Sequence, residues 1–218
     1  MFQGSSPFAD YVDMTFLAIT GVSLLVLIGL VSAMIYFVIR YSRKRNPHPE
    51  NIEGNLPLEI IWTVIPLVLF MGMFYMGWRG YVSTVEVPEG AIPISVTGRM
   101  WQWTFAYPNG LQLDTLHVPT NTPVKLTLNS ADVNHSFYIP AFRIKKDVIP
   151  NRQNVLWFST PKPGSYDVAC AEYCGLRHSY MYTKIIAHDS SAFEAWYREA
   201  SALQSKPYAP LNTTASQQ

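Results

Sequence analysis

Cysteine is almost missing: two of 218 residues, Cys170 and Cys174, carry every thiol the chain has. Zinc and iron–sulfur sites would want more thiolates, or a second pair of them, which argues against both. Charge is scarce as well, with Lys, Arg, Asp and Glu at 14% of the chain against about a quarter in ordinary soluble proteins. Through the first eighty residues it is nearly absent outside one tight cluster. There is no Gly-rich phosphate loop, no basic patch and no internal repeat, which removes nucleotide, nucleic-acid and solenoid readings. No C-x-x-C-H occurs, so no fused c-type haem domain is expected in these residues. No Ser/His/Asp order points to an acyl-transfer triad.

What is present begins with two long uncharged runs. FLAITGVSLLVLIGLVSAMIYFVI (16–39) has 24 residues and extends about 36 Å as a helix, enough to cross a bilayer with some tilt. IIWTVIPLVLFMGMFYMGW (60–78) follows, with Pro66 inside it, a residue tolerated in membrane helices where neighbours satisfy the freed carbonyl. Two such runs in succession, the second bracketed by Trp62 and Trp78, argue against buried helices of a soluble domain. The first run is too long for a cleavable signal peptide, no cation precedes it, and Asp10 and Asp13 lead into it. Between the runs stand Arg40, Arg43, Lys44 and Arg45, whereas the N-terminal segment has no Lys or Arg and only Arg79 closely follows the second run. The positive-inside rule therefore places the linker in the cytoplasm and both termini outside, in an oxidising compartment.

After about residue 79 the pattern changes to short strands, predicted at 92–96, 100–107, 124–128, 154–159 and 164–169, separated by PEG, PNG, PTNTP and PKPG. That rhythm predicts a Greek-key β-sandwich. SSAFEAWYREASALQ (190–204) reads as a closing amphipathic helix capped by Ser190, and the Pro-, Ser-, Thr- and Gln-rich residues 206–218 as a disordered tail. The expected organisation is α+β: residues 1–79 with a two-helix membrane hairpin, a sandwich over 80–205, then the tail.

The chemistry is concentrated in CAEYCGLRHSYM (170–181), which holds both cysteines, His178 and Met181. Thiolate, thioether and imidazole together suit copper. A mononuclear blue-copper site takes one Cys, two His and a weak Met, so here one imidazole is missing locally and one thiol is surplus. His135, in DVNHSFYIP, can supply the imidazole. Two thiolates can bridge two copper ions, each completed by one histidine and one weak group, Met181 for one and a main-chain oxygen at Glu172 for the other. The competing reading is a Cys170–Cys174 disulfide, which leaves His178 and Met181 unexplained. His48, His117 and His188 have no partner set in sequence. Trp101 and Trp103, two apart, would point to one face of a strand.

The segment fits C-x-E-x-C-x-x-x-H-x-x-M with an upstream histidine, and with the hairpin ahead of it resembles subunit 2 of the cytochrome c oxidases, the subunit carrying the binuclear CuA centre. The resemblance covers nearly the whole chain and implies a cupredoxin-type sandwich. It implies that Cys170 and Cys174 bridge both coppers, with His135 and Met181 completing one, and His178 and the Glu172 main-chain oxygen the other. It further implies a magnesium ion at the Glu172 carboxylate shared with subunit 1, an electron port at Trp101, and a proton-channel mouth at Glu59 in LEIIWTVIP. An acid at the cytoplasmic end of a membrane span suggests a proton path in any case, and also suits a helix N-terminus.

The implied partners are subunit 1, which carries haem and CuB, subunit 3, and a separate cytochrome c donor, in a bacterial inner membrane with the copper domain on the periplasmic side. The implied activity is electron transfer from cytochrome c towards oxygen reduction to water, coupled to proton pumping. This chain contributes the electron-accepting step and is not catalytic alone. From Gly80 onward eleven Lys and Arg stand against ten Asp and Glu, a net of +1, so composition shows no acidic face for a basic donor, although Asp114, Asp132, Asp167 and Glu172 could form one. Two alternatives use the same residues: a copper-free quinol-oxidase subunit, which the intact ligand set opposes, and a membrane-tethered copper-delivery module, which would expose its ligands.

Overall fold

A computed structural model describes residues 5–48, 50–51 and 53–204. The expected tail at 206–218 lies outside the described residues. Two long helices open the chain, α1 (Pro7–Arg40) and α2 (Leu56–Val85), both reaching well past the uncharged runs. The added turns have local causes. Pro7 occupies the first position of α1, where its missing N–H costs nothing, and the Ser6 hydroxyl accepts the Ala9 N–H at 3.3 Å. At the start of α2 the Leu58 N–H donates to Asn55 Oδ1 at 3.2 Å, and the Asn55 N–H donates to Glu59 Oε1 at 3.3 Å. That reciprocal cap starts the helix four residues before position 60. At the far end nothing breaks α2 until the residues before Pro88.

Residues 10–84 form one compact unit, and residues 5–9 with 85–204 the other. Within the first, Gly80 lets the Tyr11 ring pass where a Cβ would lie 2.5 Å from it, and the Tyr11 hydroxyl donates to the Met76 carbonyl. The most apolar stretch of each helix buries none of its residues within the chain, the behaviour of helices whose solvent is lipid.

The second unit is a sandwich of two five-stranded sheets. Its strands are β1 (Ile92–Arg99), β2 (Gln102–Ala106), β3 (Gln112–Leu113), β4 (Leu116–Pro119), β5 (Val124–Ser130), β6 (His135–Ile139), β7 (Ile144–Val148), β8 (Asn154–Phe158), β9 (Gly164–Cys170) and β10 (Tyr182–His188). One sheet runs β3-β2-β1-β5-β8 and the other β4-β10-β9-β6-β7, with parallel pairs β1–β5 and β4–β10. This is the cupredoxin-like β domain expected after the hairpin. Alternation drives it: Ile94 and Val96, Trp103 and Phe105, and Val124, Leu126 and Leu128 point inward from one sheet. Phe137, Ile139, Val168, Ile185 and Ala187 meet them from the other. Each large side chain so enclosed contributes about 2 kcal/mol. Phe8 joins this unit edge-on to Trp157, centroids 4.8 Å apart.

Two expectations need correction. The strand predicted at 100–107 begins only at Gln102, because Met100 and Trp101 form the turn between β1 and β2; Trp101 is therefore not on the strand face that buries Trp103. Helix α3 (Ser190–Gln204) includes Ser190 as its first residue, so the capping position falls to Asp189, whose carbonyl accepts the Phe193 N–H at 2.8 Å.

Candidate metal centre

The predicted ligands converge at one end of the sandwich. Cys170 ends β9 and His135 begins β6, and the pairing of these strands sets Phe137 opposite Cys170. The chain then loops through 171–177, makes one 3-10 turn at His178–Tyr180, and returns into β10 just after Met181. Backbone bonds close the loop: Cys170 N–H to the Met181 carbonyl at 3.1 Å, Ala171 N–H to that of Ser136 at 2.9 Å, and His178 N–H to that of Gly175 at 3.1 Å. Gly175 has φ +111°, a conformation that favours glycine, and so allows the reversal between Cys174 and His178.

The two sulfurs stand 3.8 Å apart as free thiols, far beyond the roughly 2 Å of a disulfide. Each faces one imidazole: Cys170 Sγ lies 3.8 Å from His135 Nδ1, and Cys174 Sγ lies 3.5 Å from His178 Nδ1. Met181 Sδ is 3.8 Å from Cys174 Sγ, and the Glu172 carbonyl oxygen 3.3 Å from Cys170 Sγ. His135 and Met181 have no exposed surface, and Cys170 and Cys174 retain 8% and 4%. The donor set therefore consists of a central sulfur pair flanked by one ring on each side, a thioether and a main-chain oxygen. Those donors fit copper ions, and the surplus of one thiol over a mononuclear site persists in three dimensions.

Electrostatics favour a charged sulfur here. Burial opposes ionisation of Cys170, but the His135 ring and adjoining backbone groups outweigh it and bring its thiol down to about 6. Burial and then the neighbouring Cys170 charge push the Cys174 thiol up to about 12, so the second proton leaves only when something positive compensates.

Asp132, offered by the sequence only as part of a possible acidic face, stands behind the predicted ligand His135. Its carboxylate accepts the His135 Nε2–H at 2.8 Å, the Val133 N–H at 2.7 Å and the Met100 N–H at 2.7 Å. The first bond fixes the tautomer that leaves Nδ1 free for a metal. The third ties the Trp101 turn to the same carboxylate. Burial raises the Asp132 carboxyl, but these donors prevail and hold it below its usual range. The spacing D-x-x-H was the available sign.

Trp101 is half-buried over Gly175, and its indole N–H donates to the main-chain carbonyl of Cys174 at 3.2 Å. The Glu172 side chain is exposed beside the centre, and exposed Glu59 lies in the first turn of α2, in the other unit. His117 and His188, read as isolated, form a pair: their ring nitrogens are 2.9 Å apart, and the Trp196 indole of α3 stacks on His117 at 4.0 Å and 9°. His48 is exposed.

Known proteins resemble the chain along most of its length. Residues 1–76 match the transmembrane domain of cytochrome c oxidase subunit II, and residues 111–188 match its periplasmic domain. Cytochrome c oxidase subunit 2 of Thermostichus vulcanus is 32% identical over 82% of this chain and 71% of that protein. The subunit of the same name from Cereibacter sphaeroides is 29% identical over 77% and 68%. Among solved structures, the periplasmic domain of subunit II of the cytochrome oxidase of Bradyrhizobium japonicum superposes with TM-score 0.52 at 31% identity, covering 54% of this chain and 99% of that one.

Proposed function

The chain belongs to the cytochrome c oxidase subunit 2 family, and from that premise we propose that its β domain holds a binuclear CuA centre which takes electrons from a cytochrome c and delivers them to haem in subunit 1. Membership makes it a copper-binding membrane subunit of an oxidase, an oxidoreductase complex. The finer reading rests on one observation: two free sulfurs 3.8 Å apart, each backed by its own histidine nitrogen. Cys170 and Cys174 would bridge both ions, His135 with Met181 completing one and His178 with the Glu172 carbonyl oxygen the other. When bound, the copper pair supplies a one-electron carrier whose charge is shared over two ions, so little bond rearrangement accompanies each transfer.

The chain's own residues prepare that step. Asp132 orients His135, while Met181, Trp103 and Phe137 exclude water from the inner side of the sulfurs. Trp101 is the surface port, and its N–H bond to the Cys174 carbonyl offers the electron a tunnelling route towards the sulfur pair. The donor is a separate protein, docked over Met100, Tyr173, Leu176 and Tyr180, which are exposed around the centre, Leu176 at 88% and Tyr180 at 75%. The Glu172 carboxylate binds magnesium together with subunit 1, and the Glu59 carboxylate is the mouth of a proton path into that subunit. Subunit 3 completes the complex, in which oxygen is reduced to water with proton pumping. The hairpin crosses a bacterial inner membrane twice, with both termini and the β domain periplasmic. A delivery module is the weaker reading, since a metal destined for release is not held by four buried residues.

The test is Cys174→Ser in the full chain. Copper should fall from two ions per chain to one or none, with loss of any mixed-valence spectrum. Retention of both ions and an unaltered spectrum would refute bridging.

A further inference from the structure

Position 98 carries no side chain where the strand pattern calls for one. In β1 the inward residues alternate as Ile94, Val96 and Gly98, so Gly98 occupies a core position, paired with Trp103 of β2 on one side and Ser130 of β5 on the other. Its φ is not in the left-handed region, so backbone conformation does not require glycine there. Space does. A Cβ at 98 would lie 3.0 Å from Trp103 Cζ3, 3.2 Å from His135 Cδ2 and 3.4 Å from His135 Cγ. A glycine inside a strand often marks such a close approach.

We propose that Gly98 is a positioning residue for the copper ligand His135: its missing side chain is the seat into which the imidazole and the Trp103 indole are pressed together. This rests on the copper reading and adds to it what fixes the ring. His135 is restrained at two points. Asp132 holds Nε2 at 2.8 Å, and the second restraint is steric, the adjoining Cγ–Cδ2 edge lying over Gly98. With Nε2 held and that edge confined, the direction of the Nδ1 lone pair towards Cys170 is fixed.

Trp103 cannot easily make room. It is 2% exposed and meets Phe137 edge-on, centroids 5.1 Å apart at 89°, and it lies edge-on to the His135 ring at 5.9 Å and 64°. Its indole N–H has no hydrogen-bond partner among the described residues, so the ring is placed by shape alone. One methyl at 98 is therefore wedged between two buried rings, and the displacement it forces, a few tenths of an ångström, falls on the ligand, the indole, or both.

The experiment uses the full chain in detergent, loaded with copper and compared as wild type, Gly98→Ala and Gly98→Ala with Trp103→Phe. Readouts are copper per chain, copper affinity against a chelator, the paramagnetic resonance spectrum, and the thermal midpoint of the metal-free form. We expect Gly98→Ala to retain copper with altered hyperfine splitting and about 10-fold weaker affinity, the effect typical of losing an outer-shell support. The added Trp103→Phe, which frees space on the far side of the methyl, should bring the spectrum back towards wild type. Should Gly98→Ala fail to fold, a folded double variant with a near-wild-type spectrum still supports the proposal. A Gly98→Ala spectrum and affinity equal to wild type overturn it. So does a double variant that also fails to fold, which would make Gly98 a requirement of the sandwich and not of the ligand. Wild-type chain that binds no copper would overturn the copper reading itself, and is measured first.

Discussion

Replacing Asp132 with alanine removes one acceptor from three donors: the His135 Nε2–H, the Val133 N–H and the Met100 N–H. The latter two residues are exposed enough for water to replace the carboxylate, but His135 has no exposed surface. Its ring N–H would be left buried and unpaired, at about 1–3 kcal/mol. The ring would also lose the partner that fixes its tautomer, for which outer-shell substitutions typically lower metal affinity 10–100-fold, or about 1.4–2.7 kcal/mol. Asp132→Asn separates the contributions. An amide oxygen in place of Oδ1 keeps His135 and Val133 supplied, while the amide NH2 turns a donor towards the Met100 N–H. Asparagine should therefore weaken copper about 10-fold and alanine about 100-fold. The assay is a competitive titration of copper against a chelator on the full chain, with the metal-free melting curve as control for folding. Affinities within twofold of wild type in both variants would show that the carboxylate does not hold the ligand.

Met181→Leu conserves volume, so the metal-free fold should lose less than about 1.5 kcal/mol, while copper stays bound at a shifted potential; an unchanged potential in a redox titration would remove Met181 from the ligand set. Glu59→Gln keeps an acceptor for the Asn55 N–H but cannot release a proton, so the assembled oxidase should show slowed proton-coupled turnover with intact copper; wild-type turnover would reduce Glu59 to a helix cap. Acid should loosen the α3 dock. Burial, then the proximity of His188, lowers the His117 ring to about 4 from an ordinary 6.5, and burial lowers His188 as well. Between those values the unfolded chain binds more protons, so stability is full above pH 6.5 and declines as pH falls towards 4. With His117 half-exposed the loss is of order 1 kcal/mol, visible as a lower melting temperature at pH 4.5 than at 7.5 in the metal-free chain and flattened by His117→Gln. Identical pH slopes in the two chains would contradict this.

The hairpin was legible because membrane helices announce themselves through uninterrupted apolar runs, though their ends were set by Ser6, Asn55 and Glu59, whose capping bonds composition does not register. The candidate ligand loop stood out because five potential donors lie within twelve consecutive residues. Strand β6 was missed since its residues His135, Ser136, Phe137 and Ile139 are buried almost without alternation. Strand β7 was missed because Lys145, Lys146 and Asp147 interrupt its apolar ends. Trp101 and Trp103 looked equivalent by spacing, yet the turn at 100–101 leaves one half-buried and the other in the core. Gly98 and Asp132 act through space on His135, and His117 finds His188 only because β4 and β10 run side by side. Such relations belong to the fold and have no local pattern.

The claim beneath all of these is that Cys170 and Cys174 share their electrons with two metal ions at once. Its most direct measurement is the paramagnetic resonance spectrum of the oxidised, copper-loaded full chain, read beside its copper content. Two copper ions per chain are expected, with the hyperfine pattern of one unpaired electron spread equally over two copper nuclei. A single ion with the pattern of one nucleus, or a metal-free chain with its thiols oxidised to each other, would contradict it.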